Sequence, residues 1–474
     1  MHGKLSNIIL ILALAGAIGA LSAAAQDEAT DGDDGSMASA AVENAAELVL
    51  DIEEAVDMAL RNNLGLKAEK LSLQVAERSK ARFWNVFLPQ ISTGATLYRS
   101  NEAPEGFSVP GFPPQPAPAH TWDFTWSFSA SLTITSQIYF GIRKTFVDYD
   151  SGKINLETAR KQLALDVRKA FYNLILLQQN MELMKQQIAT AAKRYDQARI
   201  NYENGLVSEY DMLSARVALE NLKPGLQDME VGYESALGSF KQLLGADRRR
   251  SVRIDGAISV EPRQLDADRL ISGYVDGRLD IRSLKAAIES QENFRDITFT
   301  GLFPSVTFSY TMDPTFQKDP FKDPWFADIE NDWAQKAGGF SITLNIPLTG
   351  FIPGSQTQVD LANQADEIRR TEINLAQARQ GAALEIETIV NNLEKSISSI
   401  DTLKLNVQLA ERAYRLAEEA YRAGNRELLE VQNAELELQK ARNEVLKEQY
   451  NYTTGLLDLE YAINADIDKV GSSR

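Results

Sequence analysis

The sequence predicts a mainly α protein with a β-barrel part: a long antiparallel coiled-coil hairpin present twice, and four amphipathic strands per chain that contribute to a shared membrane barrel. Three observations predict it. Apolar residues recur at alternating spacings of four and three, the spacing of a coiled-coil seam. The same register returns at a fixed offset in the second half of the chain, the mark of a duplicated supersecondary unit. A stretch near the first third alternates apolar and polar residues without a lapse and begins with aromatics, as a strand facing lipid on one side does.

Composition sets the outer bounds. With 49 Lys and Arg against 66 Asp and Glu, the 474 residues carry a net charge of −17. Neutralising phosphates needs a basic surface, so nucleic acid is excluded as a partner and a polybasic membrane-surface attachment is disfavoured. A hydrophobic fraction of 44% and a charged fraction of 24% are those of an ordered protein. Without cysteine there is no disulfide, thiol nucleophile, cysteine-based metal site or lipidated cysteine, and with His2 and His120 as the histidines there is no His-based triad or multi-His metal site.

Lys4 precedes an uncharged run from Leu5 to Ala25 that closes in Ser22-Ala23-Ala24-Ala25. This reads as a secretory signal over 1–25, cleaved before Gln26. Residues 26–45 follow as a flexible acidic leader, whose Asp31-Gly32-Asp33-Asp34-Gly35 is a weak calcium-loop pattern without a glutamate at the twelfth position. No later stretch offers ~18 consecutive apolar residues, so no other membrane-spanning helix is expected. The remainder divides into a first repeat at 46–245, a linker at 246–264, a second repeat at 265–464 and a tail at 465–474.

The repeat is read from LPQIS at Leu88–Ser92 against FPSVT at Phe303–Thr307, and from YENG at Tyr202–Gly205 against YRAG at Tyr421–Gly424, which lies 219 residues later. Along the first copy the seam runs from Leu163 through Val167, Leu174, Met181, Ile188 and Tyr195 to Tyr202, and along the second from Ala382 to Tyr421 with one polar lapse at Ser396. After the turn it resumes at Met212 and at Val431, the second copy failing at Glu448 and recovering at Tyr452. From Asn155 to Tyr202 a helix would extend ~70 Å, longer than a compact enzyme domain needs. Gly205 and Gly424 suit left-handed helix ends, Ser208 or Asn425 can cap the returning helices, and Pro224-Gly225 should kink the first of these.

The strands are Ile91 to Tyr98, Trp122 to Thr135, Val306 to Tyr310 and Phe340 to Ile346. An amphipathic sheet on a soluble core would share their pattern, but the signal and the aromatic start favour lipid. Four strands leave edges that lipid does not tolerate, so chains must share a barrel: two would give eight strands, three would give twelve. The Pro-rich and charged segments Arg99–His120 and Thr311–Asp332 fit extracellular loops, with the hairpins projecting into the periplasm.

From Glu47 to Asn464 the chain resembles outer-membrane efflux proteins of the TolC family. The motifs that carry this are ALRNNLGLKAEK at Ala59–Lys70, YENGLVSEYDMLSAR at Tyr202–Arg216, RLDIRSLKAA at Arg278–Ala287, LNIPLTG at Leu344–Gly350 and YRAGNRELLEVQNAE at Tyr421–Glu435. The resemblance implies a homotrimer in outer-membrane lipid, its twelve-stranded barrel continuing into a twelve-helix tunnel closed by the hairpin tips. It implies docking to a periplasmic adaptor protein and an inner-membrane transporter, and an exit duct for small molecules or proteins in a tripartite efflux or type I secretion system.

The family's gate ties map onto Asp211, Tyr421 and Arg426. Asp211 also reads as the fourth member of a capping box begun by Ser208, Tyr421 as a packing residue of the seam, and Arg426 as a solvated charge. The pore constriction maps onto Glu430 and onto Asn433, where the family has a second carboxylate; Glu430 is equally a first-turn acid favoured by the helix dipole. Adaptor-docking tips map onto Gly205, Leu206, Gly424 and Asn425. No catalytic residues, cofactor or metal site are expected, since no phosphate loop, nucleophile elbow or ligand cluster occurs. A free-standing diffusion channel or a periplasm-spanning structural coiled coil are the alternative readings.

Overall fold

The computed structural model describes residues 48–99, 101, 110–111, 122–316, 338–423 and 425–467. The signal, the acidic leader, most of both long loops, Gly424 and the end of the tail lie outside these residues.

Two compact units form, and each draws on both halves of the chain. One includes Ala81–Lys144 and Asn293–Ala365. The other includes residues 48–80, 145–292 and 366–467.

In the first unit the expected strands are β2 (Gln90–Arg99), β3 (Trp122–Ile134), β5 (Ser305–Met312) and β7 (Gly338–Asn345), each within two residues of the bounds set by alternation. They form one antiparallel sheet in the order β2-β3-β5-β7, with the two-residue β6 (Thr315–Phe316) also pairing β3. The register sets like against like over most of the sheet. Ile91, Ala95 and Leu97 lie opposite Ala130, Trp126 and Phe124, while Val306 and Phe308 lie opposite Ile134 and Leu132 and, on their other side, Leu344 and Ile342. The opposite face pairs Ser92 with Ser129 at 2.6 Å and Thr133 with Thr307 at 3.0 Å through their hydroxyls. A slip of one residue would transpose the faces, so alternation excludes it. Thr93 intrudes on the apolar face and is bonded there by Trp126 Nε1 at 2.8 Å. On that face Ile91, Phe340, Ile342 and Leu344 of the outer strands are exposed, whereas Phe124 of β3 is buried.

Helices dominate the rest. Short α1 (Ile52–Asn62) and α2 (Leu64–Ala81) precede the first hairpin, α3 (Gln137–Glu203) and α4 (Glu209–Leu244). Short α5 (Ala267–Tyr274) and α6 (Leu279–Thr300) precede the second, α7 (Gln356–Arg422) and α8 (Leu428–Ile463). Every bound of the second hairpin is that of the first plus 219 residues, giving helices of 67 and 36 residues in both. The longer ones amount to about 100 Å of helix, starting well before the expected Asn155. α4 runs on through Pro224, whose ring forgoes the bond to the Glu220 carbonyl. No described helix is long and apolar enough to cross a membrane.

Of the seam residues expected from the heptads, Tyr202 is exposed, at 39%, and the rest are buried or half-buried. One core joins Val167, Phe171 and Leu174 of α3 to Phe240 and Leu244 of α4 and to Ala55 and Ala59 of α1. A second joins Ile386, Val390 and Leu393 of α7 to Tyr452 and Leu459 of α8 and Leu270 of α5. The first core is closed by a parallel strand pair, β1 (Leu48–Leu50) with β4 (Val252–Ile254), which periodicity did not reveal; β4 lies inside the expected linker.

The motifs behind the resemblance are joints in this framework. Asn63 donates from Nδ2 to the Leu243 carbonyl at 3.0 Å and accepts at Oδ1 from the Leu66 amide at 3.1 Å, tying α1 and α2 to the end of α4. Arg278, nearly buried, bridges Asp280 at 3.0 Å and Glu385 of α7 at 2.8 Å, and Arg282 reaches Glu157 of α3 at 2.9 Å.

Candidate functional site

The hairpin turns gather the residues expected to carry function. α3 ends at Gly205, whose φ of 72° only a residue without Cβ adopts freely; its amide bonds the Tyr202 carbonyl at 2.8 Å and the Leu206 amide bonds the Asn201 carbonyl at 2.8 Å. This crossed pair satisfies the last carbonyls and turns the chain sharply. Leu206 is left 73% exposed on the tip. In the second copy the Asn425 amide bonds the Ala420 carbonyl at 2.9 Å, the same closing bond; Gly424 lies outside the described residues.

The caps differ between copies. Ser208 accepts from the Asp211 amide and Asp211 Oδ2 accepts from the Ser208 amide at 3.2 Å and hydroxyl at 2.7 Å, a complete capping box. Asn425 does not cap α8. The position preceding its first residue is Glu427, the counterpart of Ser208, and it makes no side-chain cap bond. A cap must sit immediately before the first helical residue, and Asn425 lies too early.

Asp211 therefore serves its own helix through Oδ2, while Oδ1 accepts no hydrogen bond from a described residue. Its charge is felt by Tyr421: burial first, and then the Asp211 carboxylate, raise the phenol above its ordinary pKa against the opposing pull of Arg194. Arg426 pairs with Glu430 one turn along α8, and among the described residues neither Tyr421 nor Arg426 hydrogen-bonds Asp211. Asn433 lies exposed one turn beyond Glu430. Beneath these groups Ala198 of α3, Ala215 of α4 and Leu428 of α8 form an apolar tip cluster with Tyr195 and Tyr421 packed on it.

One layer above that cluster stands a polar group that sequence reasoning missed. Arg194 of α3 donates from Nη1 to Glu435 Oε2 of α8 at 2.6 Å and from Nη2 to the Tyr414 hydroxyl of α7 at 3.2 Å. The charged side chains are 14% and 11% exposed. Burial opposes the arginine charge, but Glu435 and Tyr414 outweigh it, and the guanidinium pKa is raised. Removing one partner from so enclosed a pair costs on the order of 3–5 kcal/mol. Arg194 and Glu435 flank the seam positions Tyr195 and Ala434, a placement that a heptad reading assigns to solvated charge.

The comparisons with known proteins agree with this architecture. Outer membrane protein TolC of Vibrio cholerae is 21% identical over 415 residues, covering 82% of this chain and 86% of that protein. The solved CmeC outer membrane channel of Campylobacter jejuni superposes with a TM-score of 0.72 at 17% identity, over 88% of each chain. The outer membrane protein VceC of Vibrio cholerae gives a TM-score of 0.68 at 17% identity, over 87% of this chain and 96% of its own. At such identities the likeness is one of fold. The model of the outer membrane efflux protein family matches residues 55–246 and 270–465, one stretch in each copy of the repeat. The chain thus belongs to the outer membrane efflux protein family, and its place is the outer membrane.

Proposed function

We propose that three copies of this chain assemble into an exit duct that receives cargo, small molecules or proteins, from an inner-membrane transporter through a periplasmic adaptor and releases it outside the cell. The observation that carries this reading is the sheet. Its one face is mainly apolar and is exposed along the outer strands β2 and β7, the other is lined by Ser and Thr, and β2 and β7 end it as edges without a partner among the described residues. Lipid does not tolerate unpaired backbone, so β7 of one chain pairs with β2 of the next until the sheet closes at twelve strands around a polar lumen. The four long helices of each chain contribute to a twelve-helix tunnel. No step of this function is catalytic.

In the same reading the tips close the tunnel. Asp211 keeps its cap through one oxygen and offers the other to Tyr421 or Arg426, Glu430 and Asn433 ring the constriction, and the exposed turn at Gly205-Leu206, with Gly424 and Asn425 in the second copy, receives the adaptor. Native mass of the detergent-extracted protein tests the assembly. Three mature chains beginning near Gln26 are expected; a monodisperse monomer would refute the shared barrel.

A further inference from the structure

We infer that Arg194, Glu435 and Tyr414 form a latch between the two hairpins of one chain, and that this latch must break before the tips separate. The inference rests on the reading of the protein as a tip-gated duct.

The geometry of the bonds decides which of them can resist opening. The Ser208–Asp211 box and the Arg426–Glu430 pair each lie within one helix end, so they travel with that helix and oppose nothing when it swings away. The Ser396 bond to Glu448 joins α7 to α8 inside the second hairpin and is equally indifferent to separation of the hairpins. Arg194 is different, because its two bonds run from the first hairpin to both helices of the second. Any displacement of α3 relative to α7 and α8 at this level breaks both.

Its position along the hairpins points the same way. Arg194 lies one turn above Ala198 and Glu435 two turns above Leu428, so the pair sits on the apolar tip cluster and is screened from water by it. Among the described residues it is the ion pair between hairpins nearest the turns. The next ones, Arg168 with Glu460 and Lys169 with Asp458, join the same helices about 40 Å of helix farther from the tip, where they can persist while the tip opens. The latch also couples to the gate residues, since the Arg194 charge acts on Tyr421, the residue that feels Asp211. A buried charge deprived of its partner is strongly unfavourable, so the open state requires water or new partners at Arg194 and Glu435, which makes the closed state the resting one.

The test is single-channel recording of the full-length protein in planar lipid bilayers. Glu435→Gln, which keeps shape and removes charge, and Arg194→Met should each raise mean conductance severalfold, and the double variant should rise no further than Arg194→Met, which by itself already removes both bonds of the guanidinium. Tyr414→Phe, which deletes one hydroxyl and keeps the packing, should give a smaller rise. If Arg194→Met does not assemble, Glu435→Gln and Tyr414→Phe decide. Variants with wild-type trimer content and helical circular dichroism that conduct like wild type overturn the latch, as does an additive double variant. Absence of ionic current in the wild type and in every latch and tip variant, despite trimer assembly, overturns instead the duct reading on which the latch rests.

Discussion

The Ser396 hydroxyl of α7 donates a 2.6 Å hydrogen bond to Glu448 Oε1 of α8, so the two positions where the second hairpin departs from its apolar repeat meet each other. Their counterparts 219 residues earlier are Leu177 and Met229, an apolar pair. Duplication preserved the register, and the two polar lapses satisfy each other across the seam. Asn451 completes the carboxylate by donating to Glu448 Oε2 at 3.1 Å.

This pairing makes the two positions interdependent. Ser396→Ala alone leaves part of a half-buried carboxylate unsatisfied and should cost about 1.5 kcal/mol. Ser396→Leu combined with Glu448→Met installs the first copy's residues and should be neutral or stabilising. Urea denaturation of the detergent-solubilised protein, with the two single variants alongside, reads the non-additivity; strictly additive effects would show that the residues act separately.

The Arg278 joint should make stability depend on pH in a defined direction. Burial pushes the Asp280 carboxyl up, but the hydrogen bonds and charge of Arg278 outweigh it, and the carboxyl sits below its ordinary value. A carboxyl lowered on folding stabilises the fold above its unfolded pKa, and that contribution disappears as pH falls through the folded value. Asp280→Asn should therefore lower thermal stability at neutral pH, by about 1 kcal/mol or less given its partial exposure. The deficit should vanish in acid below the folded pKa; a deficit constant across that range would assign the effect to packing.

At the tip, cap and tie are separable. Ser208→Ala and Asp211→Ala both break the capping box, each costing about 0.5–2 kcal/mol of helix-end stability. If Asp211 also ties the gate, Asp211→Ala combined with Arg426→Ala raises single-channel conductance and the entry of large antibiotics, whereas Ser208→Ala leaves both near wild type. Equal conductance in all three variants would reduce Asp211 to a cap.

Ion selectivity should report the pairing of Arg426 with Glu430. Carboxylates at a constriction favour cations, and a guanidinium bound to each offsets that field. Arg426→Ala should thus strengthen cation preference, Glu430→Gln should weaken it along with multivalent block, and Asn433→Asp should increase both. Reversal potentials in a salt gradient at neutral pH measure this. A reversal potential unmoved by Glu430→Gln would place the selectivity elsewhere in the tunnel.

The sequence by itself determined what local periodicity encodes. Heptad spacing placed the hairpins and their turns, strict alternation placed the strands and their faces, and the duplication carried the heptad register from one copy to the other, because helix and strand each impose a short repeat on which residues are buried. Left to the tertiary structure was the choice of partner. Three-residue strands such as β1 and β4 have no period to read, and Asn425 fails as a cap through a displacement of two residues that only the built turn reveals. Arg194 and Glu435 are 241 residues apart and look like surface charges until α3 and α8 are packed side by side. A charge becomes buried through its neighbours in space, and those are set by packing between distant helices, which the spacing of residues along either helix does not contain.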